Sequence, residues 1–205
     1  MFQAKQRFKN FEEYLSVDSS ELPEGNFELV NGAIVEMGAE NLQNVEIASF
    51  LFSVLLQFVP YYLLHRGTEI AVSSRLVTSR FPDLMVLTEE TRAAMKRDQR
   101  SIITLMMPTP KLVIEVVSPG EPGSDNYDLD YIDKRKEYAD RCVPEFWLID
   151  PERAVVLVLT LVRTSYKNLV TSTYKAAEFR GGDRIRSAQF RQLQLTAEQI
   201  LEAGR

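Results

Sequence analysis

One acidic residue, Glu115, interrupts an otherwise apolar segment that runs from Leu112 to Val117. Continuous apolar runs of this length are typical of strands that are buried on both faces of a sheet. An ionised carboxylate in such a strand is costly unless it is paired or binds a metal. Asp83 lies at the start of a second apolar run, which follows Pro82 and ends at Leu87. Two carboxylates on two predicted core strands therefore indicate metal-dependent chemistry.

The composition limits the kind of metal site that this chain can build. Its 205 residues include one cysteine, Cys142, and one histidine, His65. These numbers exclude an intrachain disulfide, a thiolate zinc site and a histidine cluster. A metal site must then use mainly oxygen ligands, which suit Mg²⁺ or Mn²⁺. The length predicts a single domain over residues 1–205, with a core at about 11–195.

The charge balance bears on possible partners and on location. A net charge of −5 and a pI of about 5.1 argue mildly against a dedicated nucleic-acid binder, which is usually basic. They leave room for an enzyme with a local basic groove. The first ten residues are charged and lack an apolar stretch, so we predict no signal peptide and expect a cytoplasmic protein. Residues 47–64 resemble a membrane span, but their polar residues and Pro60 favour a buried core helix instead.

The order of predicted elements indicates an α/β (α+β) fold, in which helices flank a central mixed β-sheet. Asn31-Gly32 between two apolar runs predicts an N-terminal β-hairpin, because both central residues of a type I′ turn need positive φ. A helix over 127–142 between strands at 111–117 and 145–149 predicts a strand–helix–strand unit, with hairpins on either side. The other predicted elements are helices at 42–59 and 89–98, strands at 68–78, 81–87, 154–161, 169–179 and 184–187, and a final helix after a capping box at Thr196.

The helix that follows the Glu115 strand supplies a candidate cation, Lys134. At 100° per residue, Lys134 lies within about 60° of Tyr127, Tyr131 and Tyr138 on the helix surface. This aromatic stripe predicts that Lys134 points inward, although a lysine there can also extend its ammonium group to solvent. The acids of this helix are predicted on the opposite, solvated side: Asp130, Asp133, Glu137 and Asp140.

Each candidate site residue also has a purely structural interpretation. Glu115 alone is equally compatible with a buried ion pair, and Asp83 alone fits a turn or cap after a proline. Glu28, in the first hairpin, is a candidate third acid with Glu36 as its competitor, but glutamates on edge strands are usually solvated. Metal-dependent phosphodiester cleavage needs two or more carboxylates on a cation, and it benefits from a positive group such as Lys134. The combination therefore favours a nuclease site.

The same residues resemble a known nuclease superfamily. Pro82-Asp83, followed by Glu115-Val116-Val117, is similar to the PD-(D/E)xK pattern, which is a short and weakly specific motif. Longer segments resemble, in the same order, the Uma2 (Uma-two) family of restriction endonucleases. They are residues 27–32 (FELVNG), 115–119 (EVVSP), 134–139 (KRKEYA) and 143–151 (VPEFWLIDP).

This resemblance implies a restriction-endonuclease-like fold and a Mg²⁺-dependent site. Asp83 and Glu115 would be the metal ligands, and Glu28 would be an additional acid near the metal. The lysine expected two residues after the glutamate is Val117 here, and the family resemblance assigns its role to Lys134 on the following helix. The separation of Asp83 and Glu115 is long for the superfamily because of a charged insertion at 89–100.

Three functions remain open from the sequence. The first is a Mg²⁺- or Mn²⁺-dependent DNA endonuclease that acts as a homodimer, with the helix at 47–59 and the C-terminal strands as the interface. The second is a non-catalytic nucleic-acid-binding or protein-interaction module on the same fold. The third is a phosphodiesterase specific for RNA or branched DNA. We expect no membrane association, and no methyltransferase or target-recognition domain is visible. In the nuclease interpretation, Asp83, Glu115 and Lys134 must converge.

Overall fold

The computed structural model contains two mixed β-sheets with helices packed around them. The described residues are 7–73, 77–98, 100–167 and 169–203. The helices are α1 (Phe11–Ser16), α2 (Leu42–Leu55), α3 (Glu89–Asp98), α4 (Asp125–Asp128), α5 (Lys134–Asp140) and α6 (Ala197–Leu201). The strands are β1 (Phe27–Val30), β2 (Ala33–Glu36), β3 (Leu64–His65), β4 (Glu69–Val72), β5 (Thr78–Arg80), β6 (Leu84–Val86), β7 (Ile102–Ile103), β8 (Leu112–Val116), β9 (Glu145–Asp150), β10 (Val155–Tyr166) and β11 (Leu169–Phe179).

The five-stranded sheet has the order β2-β1-β5-β4-β7 and contains the predicted hairpin. Asn31 and Gly32 have φ values of 51° and 80°, as the turn requires. A Cβ atom at Gly32 would lie 2.3 Å from the carbonyl oxygen of Phe8, so glycine is needed there for space as well. Only part of the predicted strand 68–78 forms β4, and residues 74–76 lie outside the described residues.

The six-stranded sheet has the order β11-β10-β9-β8-β6-β3. Strands β8 and β9 are parallel, and β10, β11, β6 and β3 add antiparallel pairs on either side. The strand–helix–strand unit and the mixed α/β class are therefore confirmed. The N-terminal hairpin is also confirmed, but it belongs to the smaller sheet rather than to the central one.

Helices pack on both faces of the six-stranded sheet. On one face, α2 and α6 cover a core that includes Ile114, Val116 and Trp147. On the other face, Val113 and Val117 join a core that includes α5. Because successive strand residues point to opposite faces, Glu115 shares the second face with α5. None of the described helices is long and apolar enough to span a membrane.

Two predicted boundaries and one predicted interface need correction. Helix α2 ends at Leu55 and continues as turns before Pro60, since a proline cannot extend the helix. Its apolar residues Ile47, Leu51 and Leu55 are buried in the core, so this side of the helix is not available for a second chain. The predicted strand at 184–187 is reduced to one bridge between Arg184 and Thr196.

The predicted helix at 127–142 is interrupted. A π-helical turn spans Leu129–Asp133 and joins α4 to α5. Such turns are rare and occur mostly as single-turn insertions in helices, frequently at functional sites. Here the turn carries Asp130 and immediately precedes Lys134, so both residues of interest lie at the irregular part of the helix. The predicted capping box at Thr196 is confirmed, with Gln199 as its partner.

Candidate active site

Glu115 lies in the central strand β8, and its side chain is held by two donors. Lys134 Nζ donates to Oε2 at 2.9 Å, and the Tyr138 hydroxyl donates to Oε1 at 2.6 Å. Glu115 is 3% exposed, and the two donors are also buried. Burial raises the pKa of Glu115 to about 8, although Lys134 acts in the opposite direction. This carboxylate is therefore oriented by its neighbours but poorly compensated as an anion.

Asp83 approaches the same strand from the side. It precedes β6, the antiparallel neighbour of β8, and its Oδ2 accepts a 2.6 Å hydrogen bond from the Val116 amide. Its side chain thus bonds to the neighbouring strand rather than capping a local turn. Burial raises the pKa of Asp83 to about 6, while the Val116 amide and Lys134 lower it. Like Glu115, Asp83 therefore has a raised pKa chiefly because burial disfavours its charged form.

Lys134 points inward, as the aromatic stripe predicted. It is 6% exposed, and its ammonium group lies 2.9 Å from both Glu115 and Asp130. Burial alone would lower the pKa of Lys134, but Glu115 and Asp130 raise it well above its usual value. The side chain is therefore a permanent cation between two carboxylates.

Two acids of the following helix contradict the prediction that they face solvent. Asp130 is 5% exposed and also accepts a hydrogen bond from the Ser118 amide. Residues four apart are neighbours on a helix, so Asp130 lies beside Lys134 rather than opposite it. Glu137 accepts two hydrogen bonds from Arg80, at 2.7 and 2.8 Å. Ion pairs with cations inside the fold thus offset the cost of burying these acids.

The remaining acids of that helix, Asp133 and Asp140, are exposed as predicted. Sequence reasoning missed Arg80, which is almost fully buried between Glu28 and Glu137. These partners lie 52 and 57 residues away in the chain, so no local pattern could have identified the pair of contacts.

Glu28 is buried, unlike the solvated edge-strand glutamate that would be its ordinary structural interpretation. Its strand β1 lies between β2 and β5, so it is not at the edge of its sheet. Arg80 donates to Oε2 at 2.8 Å, and the Phe81 amide donates to Oε1 at 3.1 Å. Its competitor Glu36 is exposed. Glu28 therefore lies next to the site with both oxygens already bonded.

These side chains line one cavity of about 410 Å³. Asp83, Glu115 and Lys134 all line it, so the structure brings the three predicted site residues to one cavity. Lys134 is the one cation among the described lining residues. The carboxylates among those residues outnumber it: Glu28, Glu36, Glu40, Asp83, Glu115 and Asp130. The cavity is accordingly strongly acidic.

The donor set fits a hard divalent cation. Among the described residues, no group of three or more His, Cys, Asp or Glu side chains is arranged to hold a metal. Mg²⁺ does not need such a group, because it is usually bound by one or two carboxylates together with waters and substrate phosphates. Burial raises the pKa values of Asp83 and Glu115 because it disfavours their charged forms, and a divalent cation would stabilise those forms.

Comparisons with known proteins identify the family and a similar fold. A family model described as "Putative restriction endonuclease" (Uma2) matches residues 11–198. A crystal structure described as a "putative nuclease belonging to DUF820", from Anabaena variabilis ATCC 29413, superposes with a TM-score of 0.65 at 18% identity. That alignment covers 94% of this chain and 97% of the other. No curated protein sequence matches the chain. Because the family model spans most of its length, the chain belongs to the Uma2 family.

Proposed function

We propose that this protein is a divalent-metal-dependent endonuclease that hydrolyses phosphodiester bonds in DNA. The observation that carries the proposal is the meeting of Asp83, Glu115 and Lys134, from three separate segments, in the wall of one cavity. Membership of the Uma2 family supports a nuclease. The acidic character of the cavity supports a metal ion, since a polyanionic substrate would otherwise be repelled.

Asp83 and Glu115 would hold the cation, which we expect to be Mg²⁺, or Mn²⁺ in its place. When bound, such an ion neutralises charge on the phosphate and makes a water molecule more acidic. The protein fixes both carboxylates beforehand. The Val116 amide holds Asp83, and the Tyr138 hydroxyl holds Glu115. Preorganisation of this kind reduces the reorganisation needed during the reaction.

Lys134 would act as a donor rather than as a base. An ammonium group has three N–H donors, and two of them are used by Glu115 and Asp130. The third can donate to the attacking water or to a phosphate oxygen. Because its neighbours raise the pKa of Lys134, the side chain stays protonated and stabilises negative charge that develops on the phosphate.

Glu28 would be a positioning residue. Its carboxylate forms a buried ion pair with Arg80 and also accepts a hydrogen bond from the Phe81 amide, so both partners tie it to the fold. Its contact with Phe81 lies two residues before Asp83 and fixes the segment that carries this carboxylate. We therefore assign to Glu28 the role of supporting acid that the family resemblance implied.

The proposal includes a homodimer in the cytoplasm, because two sites can address the two strands of DNA. The apolar side of α2 is buried, which leaves the C-terminal strands as the candidate interface. Strand β11 is the edge of the six-stranded sheet among the described strands, and an edge strand can pair with a second copy. Sedimentation velocity across a range of protein concentrations would detect the dimer, and a concentration-independent monomer would contradict it.

Incubation with nucleic acids tests the proposed activity. The wild-type protein and Glu115→Gln would be mixed with supercoiled plasmid, single-stranded DNA and structured RNA, with Mg²⁺, Mn²⁺ or EDTA. We expect metal-dependent nicking of plasmid that falls by about 10²–10³-fold in the variant. Cleavage of RNA alone would redirect the proposal to an RNA phosphodiesterase. Cleavage of no substrate by folded protein would favour the non-catalytic binding module, which the acidic pI of the chain also supports.

A further inference from the structure

A second concave site differs from the acidic cavity in the sign of its charge. It has a volume of about 300 Å³ and is lined by His65, Arg92, Met95, Lys96, Arg100 and Ser101. Arg92, Lys96 and Arg100 carry full positive charges, and the described lining residues include no carboxylate. This is unusual in a chain whose net charge is −5. We refer to it as the basic pocket.

Two of the three cations of the basic pocket are not compensated by an acid, whereas the third, Arg100, already donates to two backbone carbonyl oxygens. Arg92 and Lys96 are four residues apart on α3, so they are neighbours of like charge, which destabilises a helix. Neither forms an ion pair with a described residue. The Arg92 guanidinium lies 4.3 Å from the centre of the Tyr62 ring, which fixes one face and leaves its N–H edge available. An anion is the ligand that would remove this repulsion.

The basic pocket lies near the acidic cavity, along the β3–β6 ladder. His65 pairs with Met85 in the antiparallel β3–β6 ladder. Met85 is two residues from Asp83, or about 7 Å along the strand. Asp83 directly precedes Leu84, the first residue of β6, so it lies at the end of this ladder. The two sites are therefore close enough to contact one extended ligand.

A further cation lies next to Asp83. Arg66, which follows His65, donates to the backbone carbonyl of Asp83 at 3.3 Å and to Ser49 at 3.1 Å. It lines a smaller concavity together with Asp83 and Glu40. Its ion pair with Glu40 is long, at 3.7 Å, and about one-third exposed. Arg66 therefore adds one partly compensated cation beside Asp83, next in the chain to the pocket residue His65.

We propose that the basic pocket binds a non-scissile backbone phosphate of the nucleic acid whose cleavage takes place at Asp83 and Glu115. This inference rests on the proposed function, because it takes a nucleic acid as the partner. Phosphate contacts supply much of the affinity for nucleic acids and fix the register of the substrate without reading its sequence. The charged insertion that lengthens the chain between Asp83 and Glu115 would then be the anchoring element that allows an acidic protein to hold DNA.

The salt dependence of DNA binding tests this proposal. Anisotropy of a short fluorescein-labelled duplex would be measured in EDTA over a range of KCl concentrations. The pocket variant is Arg92→Gln/Lys96→Gln, which keeps the aliphatic stems. The control variant is Lys136→Gln/Lys175→Gln, which removes the same charge from exposed positions elsewhere. Loss of this one phosphate contact should reduce the slope of log K against log [KCl] by about 0.9, with about tenfold weaker binding. The control should retain the wild-type slope, and circular dichroism would verify both folds.

The possible outcomes separate this proposal from the proposed function. Equal slopes for the pocket variant and the wild type would overturn the role of the pocket, even if the wild type nicks plasmid. A slope lost in the pocket variant, without any cleavage by the wild type, would support the pocket and refute the nuclease. An equal reduction of the slope in the pocket and control variants would mean that only the net charge of the protein matters, and it would overturn the proposal. Calorimetric titration with inorganic phosphate is the second arm. Binding that the pocket variant loses, without any change in DNA affinity, would identify a free-anion site instead of a substrate contact.

Discussion

Glu115 and Glu145 lie on adjacent parallel strands of one sheet, and both are buried acids beside apolar residues. Glu145 accepts hydrogen bonds from the Trp147 indole, the Ser187 hydroxyl and two backbone amides, all of which are neutral. Glu115 instead contacts the Lys134 ammonium and borders an open cavity. The Glu145 carboxylate is saturated with hydrogen bonds from the fold, whereas the Glu115 carboxylate retains capacity for a ligand. The donors around a buried acid, rather than its burial, therefore indicate whether its carboxylate can still bind a ligand.

A matched pair of isosteric substitutions should separate the two environments most clearly. Glu145→Gln turns an amide NH₂ toward groups that are themselves donors, and we expect a loss of about 3 kcal/mol in the free energy of unfolding. For a chain of this size that loss lowers the Tm by about 6–12 °C. Glu115→Gln can direct its oxygen toward Lys134 and its NH₂ toward the Tyr138 oxygen, so we expect a loss below about 1 kcal/mol. Calorimetry in EDTA measures the free energy of unfolding of both variants. Equal losses of stability would contradict the difference between the two environments.

The pH dependence of stability should sharpen the contrast, because the acidic cavity holds charge that folding does not favour. The pKa of Asp83 is about 6 in the fold, above its ordinary value near 3.8. The folded state therefore binds a proton more tightly than the unfolded chain, and stability falls as the pH rises from about 4 to 6. Asp83→Asn, which keeps an acceptor for the Val116 amide, should be more stable than the wild type by about 2 kcal/mol at pH 8 without metal.

The difference between Asp83→Asn and the wild type should become small near pH 4, where Asp83 is protonated in the folded state and about half protonated in the unfolded chain. Thermal unfolding at pH 4 and pH 8 in EDTA measures it. The exposed Asp133→Asn serves as the control and should show no such dependence. Millimolar Mg²⁺ should reverse the order at pH 8, because only the wild type gains stability from metal binding. A variant that is less stable at pH 8 in EDTA would contradict the interpretation of the cavity as overcharged.

The smallest expected effect concerns the neutral donor next to Glu115. Tyr138→Phe removes the 2.6 Å hydrogen bond to Oε1 and keeps the edge-to-face packing on Phe146. Partners that orient a metal ligand commonly contribute 10- to 100-fold to metal affinity. We expect the Mg²⁺ concentration for half-maximal cleavage to rise about tenfold, with little change at saturating metal. An unchanged Mg²⁺ requirement would mean that Tyr138 serves only to pack the core.

The sequence predicted the parts of the fold that depend on local patterns. Apolar runs gave β8 and β9, Asn31-Gly32 gave the first turn, and helical spacing oriented Lys134 correctly. The sequence could not distinguish Glu115 from Glu145, because the Ser187 donor to Glu145 lies 42 residues further along the chain. The division of the strands into two sheets was missed for the same reason, since it depends on pairings between distant segments.

In contrast, the inward orientation of Asp130 could have been predicted, because its four-residue spacing from Lys134 is visible in the sequence. It was missed because an acid was assumed to prefer solvent, whereas a neighbouring lysine makes a buried position acceptable. Helical geometry alone would have corrected this error.

The hydrogen bonds to Glu145 also have a consequence for the order of folding during synthesis. Strand β9 leaves the ribosome well before Ser187, Ala188 and Gln189, which supply three of the donors to its carboxylate. Until those residues emerge, the six-stranded sheet would contain an acid without its partners, and its core would lack Phe190, Leu193 and Leu195. We therefore expect the nascent chain to acquire its central sheet late, and ribosome-stalled intermediates that end before residue 187 to be vulnerable to proteases.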